Sequence, residues 1–150
     1  MKEKRTILIG GQQGEGIAST GLIIMKALAG LGYFGYGERH FSSRIKGGNT
    51  HLLMTISTEP VHCISGDIDI LLAFDEATII KNISRMKSDS TLLVDDVVQF
   101  QDEQLPKKRI CRLPMTTLAK EHGSPLMKNT CAIGHLGKLM NLHLKILSER

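Results

Sequence analysis

The chain has 150 residues, 41% apolar and 23% charged, with 4% aromatic residues, no Trp and a formal net charge of +4. These values fit one soluble globular domain with an aliphatic core suited to α/β layers, and Lys and Arg are too evenly spread to form a nucleic-acid-binding stripe. Three scattered cysteines, Cys63, Cys111 and Cys131, with no Cys-x-x-Cys pair, exclude a disulfide framework and a zinc or iron–sulfur site held by this chain alone.

In chain order, Thr6 to Ile9 reads as a short apolar strand that empties into the glycines Gly10, Gly11, Gly14 and Gly16. A helix follows from about Glu15 to Leu31, with Ile17, Ile24, Leu28 and Leu31 near one face at helical spacing. Such a strand, loop and helix lets a ligand approach the backbone closely and points the first helix amides, with their partial positive charge, at a phosphate or carboxylate. The spacing from Gly11 is Gly-x-x-Gly-x-Gly, which is not the dinucleotide fingerprint, and Gly21 is followed by Leu22 and Ile23, which rules out a Walker loop. Ser19 and Thr20 in the first turn either add hydroxyl donors to the loop or bond back to their own helix.

Gly30 to Gly37 ends the helix and opens a short second strand. Glu38 to His51 has no sustained period and gathers Arg39, His40, Arg44, Lys46 and His51 around Gly47 and Gly48, so it reads as a functional loop. Its plainer alternative is a solvated basic turn. His51 to Ser57 alternates as a strand, and with Val61 to Ile64 across Thr58-Glu59-Pro60 it is expected to form a β-hairpin. Ile68 to Phe74 is the apolar run of a strand buried on both faces, and Asp75 stands as the N-cap of a helix reaching about Met86. Thr91 to Asp95 is a further strand, and Asp95-Asp96 reads as a turn because adjacent residues of an extended chain point to opposite faces. Arg109 to Leu113 is a strand at or near an edge, and Pro114 to Glu121 a short helix ended by Gly123. A last helix is expected from Ser124, with Pro125 in its first turn, at least to Leu147, and its His135 and His143 read as surface or packing histidines. No stop signal precedes Arg150, the pattern expected of a piece cut from a longer chain. No apolar run suffices for a signal peptide or a bilayer span, so the expected setting is the cytoplasm. The fold expected is a single three-layer α/β/α domain over residues 1–150, with a mixed, mostly parallel sheet and one β-hairpin.

Three ordered segments then carry a resemblance. The run Gly10-Gly11-Gln12-Gln13-Gly14-Glu15-Gly16-Ile17-Ala18-Ser19-Thr20-Gly21, followed by Arg39-His40-Phe41-Ser42-Ser43-Arg44-Ile45-Lys46-Gly47-Gly48 and by Ile-Ser-Thr-Glu-Pro-Val at residues 56 to 61, resembles the gamma domain of 2-oxoacid:ferredoxin (acceptor) oxidoreductases. The Arg-His-Phe and Ser-Arg-Ile-Lys-Gly-Gly wording is most similar to members of this family, the pyruvate/2-oxoglutarate ferredoxin oxidoreductases, whose gamma domain is fused ahead of the alpha subunit. Two positions depart: Glu15 stands where the family usually has Gln, and Lys46 stands where free-standing gamma subunits commonly have Arg. A carboxylate in that loop repels a phosphate.

The resemblance implies a part in the oxidative decarboxylation of a 2-oxo acid to an acyl-CoA, with electrons passed to ferredoxin. It implies alpha, beta and ferredoxin-like subunits as partners, thiamine diphosphate and iron–sulfur clusters on those partners, and a gamma domain that packs subunits and lies on the coenzyme A side. The residues that would meet coenzyme A or a partner's acidic groups are Gly11, Gln12, Gly14, Glu15, Gly16, Arg44, Lys46, Gly47 and Gly48, and the isolated domain is expected to be inactive. No single segment assembles a nucleophile, a base and an orienting group. The rival readings are a stand-alone nucleotide-binding α/β protein and, more remotely, a nucleic-acid binder using Tyr33, Phe34, Tyr36 and Phe41.

Overall fold

The computed structural model describes residues 4–41, 48–101, 109–124 and 127–141. Six strands form one sheet: β1 (Lys4–Gln12), β2 (Phe34–Phe41), β3 (Asn49–Ser57), β4 (Ile68–Ala73), β5 (Met86–Asp95) and β6 (Arg109–Leu113). Between and after them come α1 (Ile17–Gly30), α2 (Glu76–Asn82) with a 3₁₀ turn at Ile83–Arg85, α3 (Met115–Glu121) and α4 (Lys128–Leu139). The strand order is β2-β3-β1-β4-β5-β6, with β1, β4, β5 and β6 parallel and β3 antiparallel to both β1 and β2. The mixed, mostly parallel sheet and the α/β class follow the expectation.

Alternation along the strands divides the core. Ile7, Ile9, Leu52, Met54, Ile70, Leu72 and Leu93 face one way and pack with Ile17, Ile24 and Leu28 of α1 and with Ala132, Ile133 and Leu136 of α4. Leu8, Leu53, Leu71, Ala73, Leu92 and Val94 face the other way and pack with Ile79 of α2. A strand buried on both faces therefore reads as a continuous apolar run, which is why Ile68 to Phe74 announces itself so clearly. Each fully buried aliphatic side chain contributes roughly 1.5–3 kcal/mol.

Four expectations are corrected. The hairpin is formed by β2 and β3, with Phe34 opposite Ser57 and Phe41 opposite Thr50, and Val61 to Ile64 is not a strand. Glu38 to Phe41, expected in a long loop, continues β2, because Gly35 and Gly37 let that strand lie under Met25 of α1 while β3 supplies its ladder. The connection between the two strands is thereby cut to residues 42–48. Leu31, placed on the buried face of α1, is 42% exposed, since the helix ends at Gly30 and Gly32 reverses the chain at φ 84°. The last helix stops at Leu139, where Met140 and Asn141 (φ 57°) bond back to Leu136, Gly137 and Lys138 carbonyls and close the turn. His143, Leu144 and Leu147 lie outside the described residues.

Other readings need only adjustment. Asp75 caps α2, accepting from the Thr78 amide at 2.8 Å, but the regular helix ends at Asn82. The turn at Asp96 is present, while Asp95 is buried at the end of β5 and accepts from the Thr116 amide and hydroxyl at the start of α3. Cys63 is exposed, and Cys111 and Cys131 are half-buried. Among the described residues no helix is long and apolar enough to cross a membrane, and no three His, Cys, Asp or Glu side chains are grouped as metal ligands.

Candidate functional site

The parallel half of the sheet points its carboxyl ends at the loop between β1 and α1. Gly10 and Gly11 hold the end of β1 against its neighbours. A Cβ on Gly10 would lie 2.5 Å from the Thr78 methyl, and one on Gly11 would lie 2.9 Å from the Phe74 Cβ. Beyond them Gly14 (φ 97°) and Gly16 (φ 76°) take left-handed backbone that other residues adopt only at a cost of about 1–2 kcal/mol. Gly16 is the N-cap of α1, and its carbonyl accepts from the Thr20 amide at 2.9 Å and the Thr20 hydroxyl at 3.0 Å. Thr20 thus bonds back to its own helix.

Glu15 sets the character of this loop. One carboxylate oxygen accepts from the Gln12 amide at 2.7 Å, and the other is ion-paired to Lys128 of α4. The Glu15 amide in turn donates to the Gln12 carbonyl at 3.2 Å. Asn129, next to that lysine, donates to the Glu15 carbonyl at 2.8 Å, and the Lys128 ammonium stands 5.1 Å above the centre of the Phe74 ring. The loop therefore carries its own anion. Glu15 turns inward to meet a backbone amide and a cation, so its carboxylate is neutralised locally instead of facing an incoming phosphate. A Cβ on Gly11 would sit 2.5 Å from that carboxylate, which explains the side-chain-free position beneath it.

Among the described residues, the second motif reaches the loop through one backbone hydrogen bond. The Gln13 amide donates to the Gly48 carbonyl at 3.0 Å, so Gln13 and buried Gly48 are joined. Next to Gly48, Asn49 donates to both Asp75 carboxylate oxygens at 3.3 Å and to the Thr78 hydroxyl at 2.9 Å, fastening the start of β3 to the cap of α2. Arg44, Lys46 and Gly47 lie outside the described residues.

On the α1 side, Gln13, Gly14, Gly16, Ile17 and Ala18 form one wall of a cleft of about 280 Å³, and Arg39, Phe41, Thr50 and Leu52 form the other. The Arg39 guanidinium stands 4.7 Å over the Phe41 ring, and a Cβ at Gly14 would meet nothing within 4 Å. The cleft thus offers open backbone, a cation and an exposed aromatic face. Gly11, Gln12 and Glu15 lie behind it, committed to one another, while Gly14 and Gly16 line it.

Arg39 was visible in sequence as one of several cations, and its place at the cleft follows from β2 running on past Gly37. Lys128 and Asn129 left no local signal, because they reach the loop from 113 and 114 residues away. On the opposite sheet face, His40 and His51, paired across β2 and β3, stack with ring centres 4.7 Å apart. Burial first, and then the positive fields of His40, Arg85 and Lys81, hold His51 below the usual imidazole range.

Residues 6–149 match the pyruvate ferredoxin/flavodoxin oxidoreductase family. The alpha subunit of a 2-oxoacid:ferredoxin oxidoreductase from Saccharolobus solfataricus is 36% identical over 98 residues, 65% of this chain and 15% of that protein. Its counterpart from a Sulfolobus species is 40% identical over 80 residues, 53% of this chain and 13% of that one. The chain thus spans only 13 to 15% of the length of these curated relatives. Among solved structures, the 2-oxoglutarate:ferredoxin oxidoreductase of Magnetococcus marinus, with 2-oxoglutarate, coenzyme A and succinyl-CoA bound, superposes with a TM-score of 0.90 at 30% identity, covering 99% of this chain and 26% of that one. The pyruvate oxidoreductase subunit PORC of Thermotoga maritima shares the fold at a TM-score of 0.79 and 22% identity, over 99% of this chain and 84% of that one. With a family match across nearly its whole length, the chain belongs to the pyruvate ferredoxin/flavodoxin oxidoreductase family.

Proposed function

We propose that this chain is the gamma component of a cytoplasmic 2-oxoacid:ferredoxin oxidoreductase, which converts a 2-oxo acid and coenzyme A to an acyl-CoA and carbon dioxide and hands the electrons to ferredoxin. Its part is to pack against the alpha and beta portions and to offer coenzyme A the cleft between Gln13–Ala18 and Arg39–Phe41. Thiamine diphosphate and the iron–sulfur clusters would be held by the partner portions. The observation that carries this reading is the Gln13 to Gly48 hydrogen bond, which joins the two family motifs beside a cation-bearing cleft at the loop.

Within that cleft the roles are divided. Arg39 would meet a phosphate of coenzyme A, the Phe41 face would take its adenine by stacking, and Gly14 would allow close backbone approach. Arg44, Lys46, Gly47 and Gly48 would extend this anion-binding edge or meet acidic groups of a partner. Gly11, Gln12 and Glu15 would hold the edge in shape, since the Gln12 amide and the Glu15 carboxylate satisfy each other. The Magnetococcus marinus likeness, with coenzyme A in that enzyme, supports the ligand.

Calorimetric titration of the chain with coenzyme A and, separately, with NAD tests the proposal. Binding of coenzyme A that weakens in Arg39→Ala and Lys46→Ala, with NAD silent, is the expected result. NAD binding alone would favour the stand-alone nucleotide-binding protein, and no binding of either would leave the packing role alone.

A further inference from the structure

A larger cleft, of about 680 Å³, opens on the α2 side of the sheet. Its walls include Glu38 and His40 of β2, His51 of β3, His62 and Ser65 of the segment after β3, and Arg85 of the 3₁₀ turn. The Arg85 guanidinium is held by two hydrogen bonds, with Nε donating to the Gly66 carbonyl at 3.1 Å and Nη1 to the Asn82 side chain at 3.3 Å. An arginine has five N–H donors in a planar fork, so a guanidinium held this way keeps further donors for the cleft. The imidazoles of His40 and His51 add ring nitrogens, and the Ser65 hydroxyl adds another donor. Among the described residues that line it, one carboxylate faces this array: Glu38, 52% exposed and 3.6 Å from His40.

We propose that this cleft is an anion site for a small phosphate-bearing molecule, with Arg85 as its fixed cation and His40 and His51 as its proton-dependent donors. It goes beyond the coenzyme A reading and is independent of the glycine loop. A doubly charged tetrahedral anion suits the array because it accepts from several directions at once, while one half-exposed carboxylate opposes it only weakly.

Binding is linked to proton uptake. With the cleft empty, protonation of His51 is disfavoured by burial and by the charges that face it: His40 from β2, Lys81 from α2 and Arg85 from the 3₁₀ turn. An anion seated between those groups reverses the local field and favours the imidazolium, so the anion and the proton strengthen each other's binding. Glu38 on β2 stands 3.6 Å from His40, and His62 faces the cleft from the segment after β3.

The test uses sulfate as the probe, since its charge stays fixed where histidine titrates, with chloride at matched ionic strength as the control. The ring-proton resonances of His40, His51 and His62 are followed by NMR, and affinity is measured from about pH 7.5 down to about pH 5.5. The expected result is saturable shifts of the His40 and His51 signals, with affinity rising roughly tenfold or more as one proton is taken up across that range. Arg85→Gln, checked for folding by circular dichroism, should abolish saturation. If that variant does not fold, His51→Gln keeps the test alive, because it should flatten the pH dependence of the affinity. Unmoved ring signals, affinity that does not change with pH, or equal binding by folded Arg85→Gln would each overturn the proposal. Inorganic phosphate set against ADP at one pH then tells whether a free phosphate or a phosphate ester is the better ligand.

Discussion

Removal of the Glu15 carboxylate is the perturbation whose size the structure fixes best. In Glu15→Ala the Gln12 amide loses its 2.7 Å acceptor and Lys128 loses its ion-pair partner, although the side chains of Lys128 and Glu15 are only 18% and 23% exposed. A hydrogen bond to a charged acceptor is worth about 1.5–3 kcal/mol, and stranding a part-buried charge adds to that. The expected loss is about 2–4 kcal/mol. For a domain of this size, at roughly 2–4 °C per kcal/mol, the melting temperature should fall by about 5–15 °C. Glu15→Gln keeps an acceptor for the Gln12 amide and loses only the ion pair, so its expected loss is about 1 kcal/mol. Urea unfolding followed by circular dichroism measures both variants. A double-mutant cycle with Lys128→Met should give a coupling of about 1 kcal/mol or more, as contacting charged residues do. Glu15→Ala within about 0.5 kcal/mol of the parent chain, the range of ordinary surface substitutions, would refute the inward carboxylate and the internal anion with it.

The two left-handed glycines of the loop should respond unequally to alanine. Gly14→Ala faces open space and bears only the backbone cost of about 1–2 kcal/mol, whereas the Gly16→Ala methyl would lie 2.2 Å from the Asn129 amide nitrogen and should cost at least about 1 kcal/mol more in urea unfolding. Asp75→Ala removes the cap of α2 and the acceptor of Asn49, and its expected loss in the same assay is about 1–2 kcal/mol. His51 is held below its ordinary value of 6.5, so the unfolded chain binds more protons than the folded one and stability should fall as pH drops through that value and below. Melting temperatures across that interval, compared with His51→Asn, check the sign: the variant should lose less stability on acidification than the parent chain.

The architecture was legible wherever local pattern and tertiary role coincide. Continuous apolar runs gave the central parallel strands, and Asp75 gave a helix start because a cap is a local device. The hairpin was misplaced for a physical reason. Phe34 to Phe41 is exposed along its whole length, so it has no alternation of buried and exposed residues to read, and the polar run Glu38, Arg39 and His40 mimics a loop. Its extent to Phe41 and its partner come from pairing with β3, which local sequence does not encode. The last helix was overextended because its apolar period continues past Leu139, while the actual stop rests on Asn141 entering the left-handed region, a weaker signal than glycine.

The site was legible in its backbone and not in its charge. Glycine spacing marked the loop, since a turn of this kind needs Gly14 and Gly16 at positive φ. The sign of Glu15, taken alone, suggests a carboxylate that repels an anionic ligand. Its meaning reverses once Lys128 and Asn129 arrive from α4, because the carboxylate then ties the loop to a helix more than a hundred residues away. That tie fixes the cleft-facing edge without occupying it: the Gln12 amide is spent on Glu15, while Gly14 stays open beside Arg39. A neutral Gln at this position could keep the amide bond but could not draw in Lys128 as strongly. The acidic residue therefore strengthens the frame, and in the proposed function the task of meeting an anion passes to Arg39 on the other wall of the cleft.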